Sequence, residues 1–333
     1  MVRIKAKGER QETKVRGEGS RSFTAPLPSC HLPFSLRFLP SSYRLLPIAF
    51  CLLFLAACRP DRVQPAGYFG PTETMTQVVA QINQNNRNIP TLWTRHDFEA
   101  DIVVDEQGRK EFINGDGTLM VRKPFDLMFI GDRPGMPRIV EIGSTREQYW
   151  LYAPRMVEMM WWGYHRNLGK PCVLEMPIRP DLLMEVLGVT DIETDFLAEP
   201  APVMRFNNDA DAYMFVWITQ APNRLIAQKE IWYDRQTKLP KLVLLFDADG
   251  RILLRAYLSE HQRIRTDDLP EDAQPMIATR YELLFPENGS RMFLRLRDPM
   301  LSRRGIPNQH SFPFPSPTLP PDRIIQVDEN CRD

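Results

Sequence analysis

From residue 91 onward, apolar and polar positions mostly alternate. Leu92, Thr94, His96, Phe98, Ala100, Ile102 and Val104 interleave with Arg95, Asp97, Glu99 and Asp101, which predicts a long strand with one buried face, closed by Asp105-Glu106-Gln107-Gly108. Shorter strands are predicted at 109–114, 118–123, 125–130, 138–143 and 148–153, and again at 203–207, 212–220, 225–234, 241–247, 251–258, 277–285 and 291–297. Leu242/Leu244/Phe246, Ile252/Leu254/Ala256/Leu258 and Met292/Leu294/Leu296 share parity within their strands, while Arg291, Arg295 and Arg297 take the other parity. Asp234 to Pro240 and Asp247 to Gly250 read as hairpin turns. Helical spacing is rarer. Met75, Val78, Val79 and Ile82 form one stripe of a helix over 74–86, with Thr72 or Thr74 as cap. Met156, Met159, Met160 and Trp161, then Leu182, Leu183, Val186 and Leu187 before Gly188, predict a two-piece helical insert between the strand sets. The expected fold class is mainly β with α: one large curved antiparallel sheet of roughly eleven to thirteen strands, with helices covering its single apolar face.

Ahead of residue 72 the pattern changes. Residues 1–30 are polar and basic with neither period, and an apolar run, Leu45 to Ala57, follows Arg37 and Arg44. That run is shorter than the roughly 20 residues a membrane-spanning helix needs, and it fits the apolar region of a secretory signal peptide. It ends in Leu55-Ala56-Ala57-Cys58, which resembles the lipobox of bacterial lipoproteins; Cys51, preceded by Phe50, fits less well. The resemblance implies cleavage before Cys58 and acylation of that cysteine, hence a chain anchored to a membrane by lipid without spanning it. Each buried methylene contributes about 0.8 kcal/mol to such an anchor. Residues 1–57 are thus expected to be an extension and signal peptide, 58–71 a lipidated tether, 72–300 the folded domain and 301–333 a Pro-rich tail. No Met lies between Met1 and Met75, and the apolar run begins late, so the natural start is expected near residue 36.

The charge balance follows from this division. The whole chain has 42 basic and 42 acidic residues, but 58–333 holds 33 and 39, a formal charge of −6. Without a basic excess, nucleic acid is not an expected partner. Cys172 and Cys331 remain after the signal and the anchor are removed. An oxidising compartment permits a bridge, yet Cys331 sits in a tail expected to be loose, which favours two unrelated thiols. A last strand is expected at Arg323–Val327.

Catalytic and metal-binding patterns are missing. G-x-S-x-G, H-E-x-x-H, C-x-x-C and G-x-G-x-x-G do not occur, and GYHRNLGK at 163–170 has the wrong spacing for a phosphate loop. Asp247-Ala-Asp249-Gly250 lacks the later ligands of a calcium loop. His96 falls on the apolar side of the first strand, as a core histidine does, and Asp209 and Asp211 read as loop solvation. No enzyme activity, cofactor or metal is expected.

The order of parts, together with local wording, resembles the outer-membrane lipoprotein-sorting family, the LolA/LolB-like carriers of the bacterial periplasm. Gly117-Thr-Leu-Met-Val-Arg-Lys-Pro124-Phe-Asp-Leu-Met-Phe129 is similar to that family's G-x-L-x-x-x-x-P-x-x-L strand pair, and Glu141-Ile-Gly-Ser144 through Tyr149-Trp150-Leu-Tyr152 to its following hairpin. The resemblance covers about 72–300 and implies an incomplete β-barrel of about 11 strands around a hydrophobic cavity, with helices as a lid. Phe98, Leu119, Val121, Leu127, Phe129, Leu244, Leu254 and Leu294 would line the cavity, and the flexible side chains of Met156, Met159 and Met160 would form the lid. Met136, in the loop Gly131-Asp-Arg-Pro-Gly-Met-Pro, matches the exposed apolar residue that a membrane-bound acceptor uses for transfer. Arg59 is not the Asp that retains some relatives in the inner membrane, which favours the periplasmic side of the outer membrane. The implied function is a monomeric carrier or acceptor for acyl chains of lipoproteins or lipids. The alternative is a non-catalytic envelope scaffold with a filled core that binds a protein partner.

Overall fold

In a computed structural model, the described residues are 67–331, apart from 104–109, 156, 169, 171, 174–175, 177, 179, 222, 268 and 288. Leu45 to Ala57, Cys58, the turn at 105–108 and Met156 lie outside the described residues. In chain order the elements are α1 (Met75–Arg87), β1 (Thr91–Val103), β2 (Lys110–Arg122), β3 (Asp126–Arg133), β4 (Met136–Ser144), β5 (Gln148–Ala153), β6 (Met159–Tyr164) and α2 (Pro180–Val186). There follow β7 (Ala201–Asn207), β8 (Ala212–Ala221), β9 (Arg224–Asp234), β10 (Pro240–Phe246), β11 (Ile252–Ser259), β12 (Gln262–Arg263), β13 (Met276–Ile277), β14 (Arg280–Phe285), β15 (Ser290–Met300) and β16 (Ile324–Gln326).

Fourteen strands make one sheet in the order β16-β6-β5-β4-β3-β2-β1-β15-β14-β11-β10-β9-β8-β7, and β12 and β13 form a separate ribbon. The sheet is larger than the eleven or so strands expected. It is also mixed, because β16 runs parallel to β6. Its end strands do not pair with each other, so it is not closed into a barrel. The two short strands predicted at 109–114 and 118–123 are one, β2, which stays in register with β1 from Val103↔Lys110 to Thr91↔Arg122.

Period-two alternation separates two apolar layers. Leu119 and Val121 of β2, Leu127 and Phe129 of β3, and Phe98 of β1 belong to one large cluster with Leu254, Leu294 and the α1 residues Val78, Val79 and Ile82. Met128 of β3 points the other way, into a smaller cluster with Trp150, Tyr152, Met160 and Phe312, against which Met120 and Ile130 pack. We call these the inner and outer faces.

The α1 helix begins with a capping box: Gln77 N donates to Thr74 Oγ1 at 3.4 Å and Thr74 N to Gln77 Oε1 at 3.0 Å. Its Asn residues bind main chain and hold it in place. Asn83 exchanges two bonds with Ile192, at 2.7 and 2.8 Å, and Asn85 two with Met276, at 3.0 and 2.7 Å.

Two expectations fail here. The first helical piece of the insert is strand β6, paired with β5 through Trp150↔Trp162 and Tyr152↔Met160. Consecutive large apolar residues suit a strand packed on both faces, and this pairing outweighs the helical spacing of the methionines. The tail after residue 301 is not loose. It crosses the outer face as a strap: Phe312 is buried, β16 extends the sheet, and Cys331 is disulfide-bonded to Cys172. Buried Asp328 fixes its end, its Oδ2 accepting from Tyr164 N at 3.0 Å and Asn167 Nδ2 at 2.7 Å.

Candidate functional site

The eight residues expected to line a cavity are all buried, with 0–9% exposure. Seven of them share the inner cluster. Leu244 does not, because Val243 and Leu245 hold the core positions of β10. An open cavity would give its lining residues solvent-accessible area, so this part of the inner face is filled. The lid expectation is also corrected: Met160 is fully buried in the outer cluster, and Met159 starts the same strand, half-buried. Met136 is 43% exposed and follows Gly135, whose φ of 76° turns the β3–β4 hairpin. Among the described residues, no helix is long and apolar enough to cross a membrane, and no group of three or more His, Cys, Asp or Glu is placed to hold a metal ion.

The inner face contains one polar anomaly. His96 is fully buried, stacked on Phe129 with centroids 4.2 Å apart, and neither ring nitrogen completes a hydrogen bond among the described residues. Burial lowers its pKa to about 4, opposed only in part by the carbonyls of Ile130 and Thr118. Room for the ring comes from the cross-strand neighbour Gly117, where a Cβ would sit 1.8 Å from the Ile130 carbonyl oxygen and 3.2 Å from His96 Cε1.

The outer face holds a pocket of about 420 Å³. Its floor is Met120, Met128 and Ile130, its mouth Arg138, and its roof the strap from His310 to Ser316, including Phe314. Phe314 meets Trp150 and Trp162 edge-on, with centroids 5.3 and 5.6 Å apart. Gly143 allows Trp150 to lie flat across β4, since a Cβ there would fall 2.1 Å from the indole. The indole N–H then donates to Glu141 Oε1 at 3.1 Å, and Arg138 donates to Oε2 at 3.3 Å. Glu141 is 2% exposed, and burial raises its pKa despite the Trp150 bond and the Arg138 charge. Arg138 reaches it because the β3–β4 register shifts after Gly131 and Arg138 itself has a φ of 52°.

A second, larger depression of about 720 Å³ lies beside β12, lined by Gln262, Arg263, Arg265, Glu271, Gln274 and Met276, where Arg263 and Glu271 pair at 3.0 Å. Glu141 and the strap were missed in the sequence. The available signal was a lone carboxylate inside the apolar run Ile139 to Ile142.

No family model matches the chain, and no curated protein matches it. Solved structures similar to this chain include the following three. One is a domain described as an outer membrane lipoprotein-sorting protein, from Vibrio parahaemolyticus (13% identity, 67% of this chain and 90% of that chain, TM-score 0.42). Another is a LolA superfamily protein from Nitrosomonas europaea (12% identity, 70% and 95%, TM-score 0.41). The third is a DUF1329 family protein from Desulfovibrio piger (11% identity, 69% and 93%, TM-score 0.43). At these identities and TM-scores the likeness is one of fold and says nothing about the site.

Proposed function

We propose that this chain is a lipid-anchored, non-catalytic binding protein of the bacterial envelope, held through Cys58 on the periplasmic side of the outer membrane, that takes up acyl chains of lipoproteins or lipids. The observation that carries this reading is the continuous inner apolar face, joined by the α1 residues Val78, Val79 and Ile82 and by Met184, Val186, Leu187, Val189 and Ile192 of α2 and the segment after it. Because the described lining residues of that face are buried, uptake requires part of this cover to lift, with α1 as the lid. Its Asn83 and Asn85 bonds to Ile192 and Met276 act as the catch.

Unlipidated protein of residues 59–333, titrated with a fluorescent fatty acid, tests this. Saturable uptake at micromolar concentrations is expected, and stronger uptake in Asn83→Ala, which loses two catch bonds. No uptake by either protein would overturn the carrier reading.

A second reading is favoured by the low exposure of the inner residues. It is a scaffold with a permanently filled core that meets a protein partner from outside. It predicts that α1 amides keep full hydrogen-exchange protection in the presence of the fatty acid.

A further inference from the structure

The outer pocket differs from an acyl cavity in one respect: a buried carboxylate, Glu141, is among its lining groups. Glu141 is almost wholly buried and has two donors, the Trp150 indole and one Arg138 nitrogen. An ionised carboxylate offers about four acceptor positions, so it is under-coordinated for its burial. The Arg138 contact is the weaker of the two, long at 3.3 Å and made by a side chain that is 64% exposed. Around this charge the walls are thioether, aliphatic and aromatic: Met120, Met128, Ile130 and Phe314. A volume of about 420 Å³ lies in the range of small-molecule sites, roughly 300–1,000 Å³.

We infer that the space beneath the strap is a binding site for a small amphipathic amine, its ammonium seated on Glu141 and its apolar body on Met120, Met128, Ile130 and Phe314. The ammonium replaces Arg138, which turns to solvent from its place at the mouth, and supplies the carboxylate with donors that the pocket itself lacks. A carboxylate-headed amphiphile is excluded by repulsion from Glu141. The inference is independent of acyl uptake on the inner face, because the two sites lie on opposite sides of the sheet.

Calorimetric titration of the oxidised protein, residues 59–333, with n-octylamine, n-octanol and octanoate tests it. Octylamine is expected to bind about tenfold or more tighter than octanol, the gain of one charge-assisted hydrogen bond, and octanoate more weakly than either. Glu141→Gln keeps an acceptor for Trp150 and should abolish the preference for amine. Arg138→Gly suits the positive φ and removes the competing cation, so it should tighten octylamine binding. Met120→Trp, which fills the floor, should block binding even if the Gln variant fails to fold. Equal affinity for octylamine and octanol, an unchanged preference in Glu141→Gln, or weaker amine binding in Arg138→Gly would overturn the assignment.

Discussion

The two faces of the sheet use the same strands but solve burial differently. On the inner face, β2 and β3 present Leu119, Val121, Leu127 and Phe129 to a cluster that α1, α2 and the segment up to Ile192 help to close. The outer face presents Met120, Met128 and Ile130 to a strap that carries Phe312 and Phe314 and is bound at its end by the Cys172–Cys331 disulfide. The helix fills its face because its apolar stripe meets the sheet with side chains at every turn. The extended proline-rich segment has no such stripe and packs on the outer cluster at separated points, Phe312, Leu319 and Ile324, so space remains beneath it. The inner face is therefore closely packed, with one imidazole that completes no hydrogen bond among the described residues. The outer face is only partly filled and keeps a buried carboxylate within reach of solvent. Cover by a helix yields core, and cover by a strap yields a pocket.

The sharpest way to break this contrast is to release the strap. The disulfide spans 159 residues, and on a chain-entropy account closing such a loop is worth about 5 kcal/mol. Cys331→Ser should lower urea stability by an amount of that order and abolish the outer pocket, while α1 stays as well protected as β2 and β3. Next comes the inner layer itself. Phe129→Ala should cost about 4 kcal/mol, whereas Met120→Ala on the other face should cost about 1 kcal/mol or less, because one side of that methionine is already unpacked. Comparable losses from the two would mean that the faces are equally packed.

The imidazole gives a pH signature. His96 has an ordinary value of 6.5 in the unfolded chain and about 4 in the folded one, so on acidification the unfolded state takes up the proton first. Its contribution is fully present above pH 6.5, is lost as the pH falls from 6.5 towards 4, and changes no further below that. The total is roughly 3 kcal/mol. His96→Leu should remove that part of the acid limb in a series of chemical denaturations, and an unchanged limb would mean that the folded imidazole keeps an ordinary value. The smallest effect belongs to the capping box: Thr74→Ala should cost about 1 kcal/mol by thermal unfolding, with no change in the outer pocket.

Legibility in the sequence followed the same division. Where one parity is apolar and the other charged, as in β1 and β15, alternation identified the buried residues, among them Phe98 and Leu294. In β10, Leu242-Val243-Leu244-Leu245 is apolar at both parities, so alternation could not choose, and Leu244 was assigned to the wrong side of the strand. Met159-Met160-Trp161-Trp162 is ambiguous for the same reason, and its pairing with β5 is a non-local fact. The strap was illegible because HSFPFPSPTLPP carries no period at all; only the aromatic surface of Trp150 and Trp162 shows where its phenylalanines dock. Cysteine partners cannot be read from spacing, and the bridge to Cys172 in turn determines where the strap ends.

Amide hydrogen exchange on residues 59–333, oxidised and reduced, tests the separateness of the two faces most directly. Reduction should release protection across 303–331 and leave Met75–Arg87 as well protected as β2 and β3. Loss of protection in that helix beyond the loss in β2 and β3 would contradict the account, because the two covers would then be one cooperative unit.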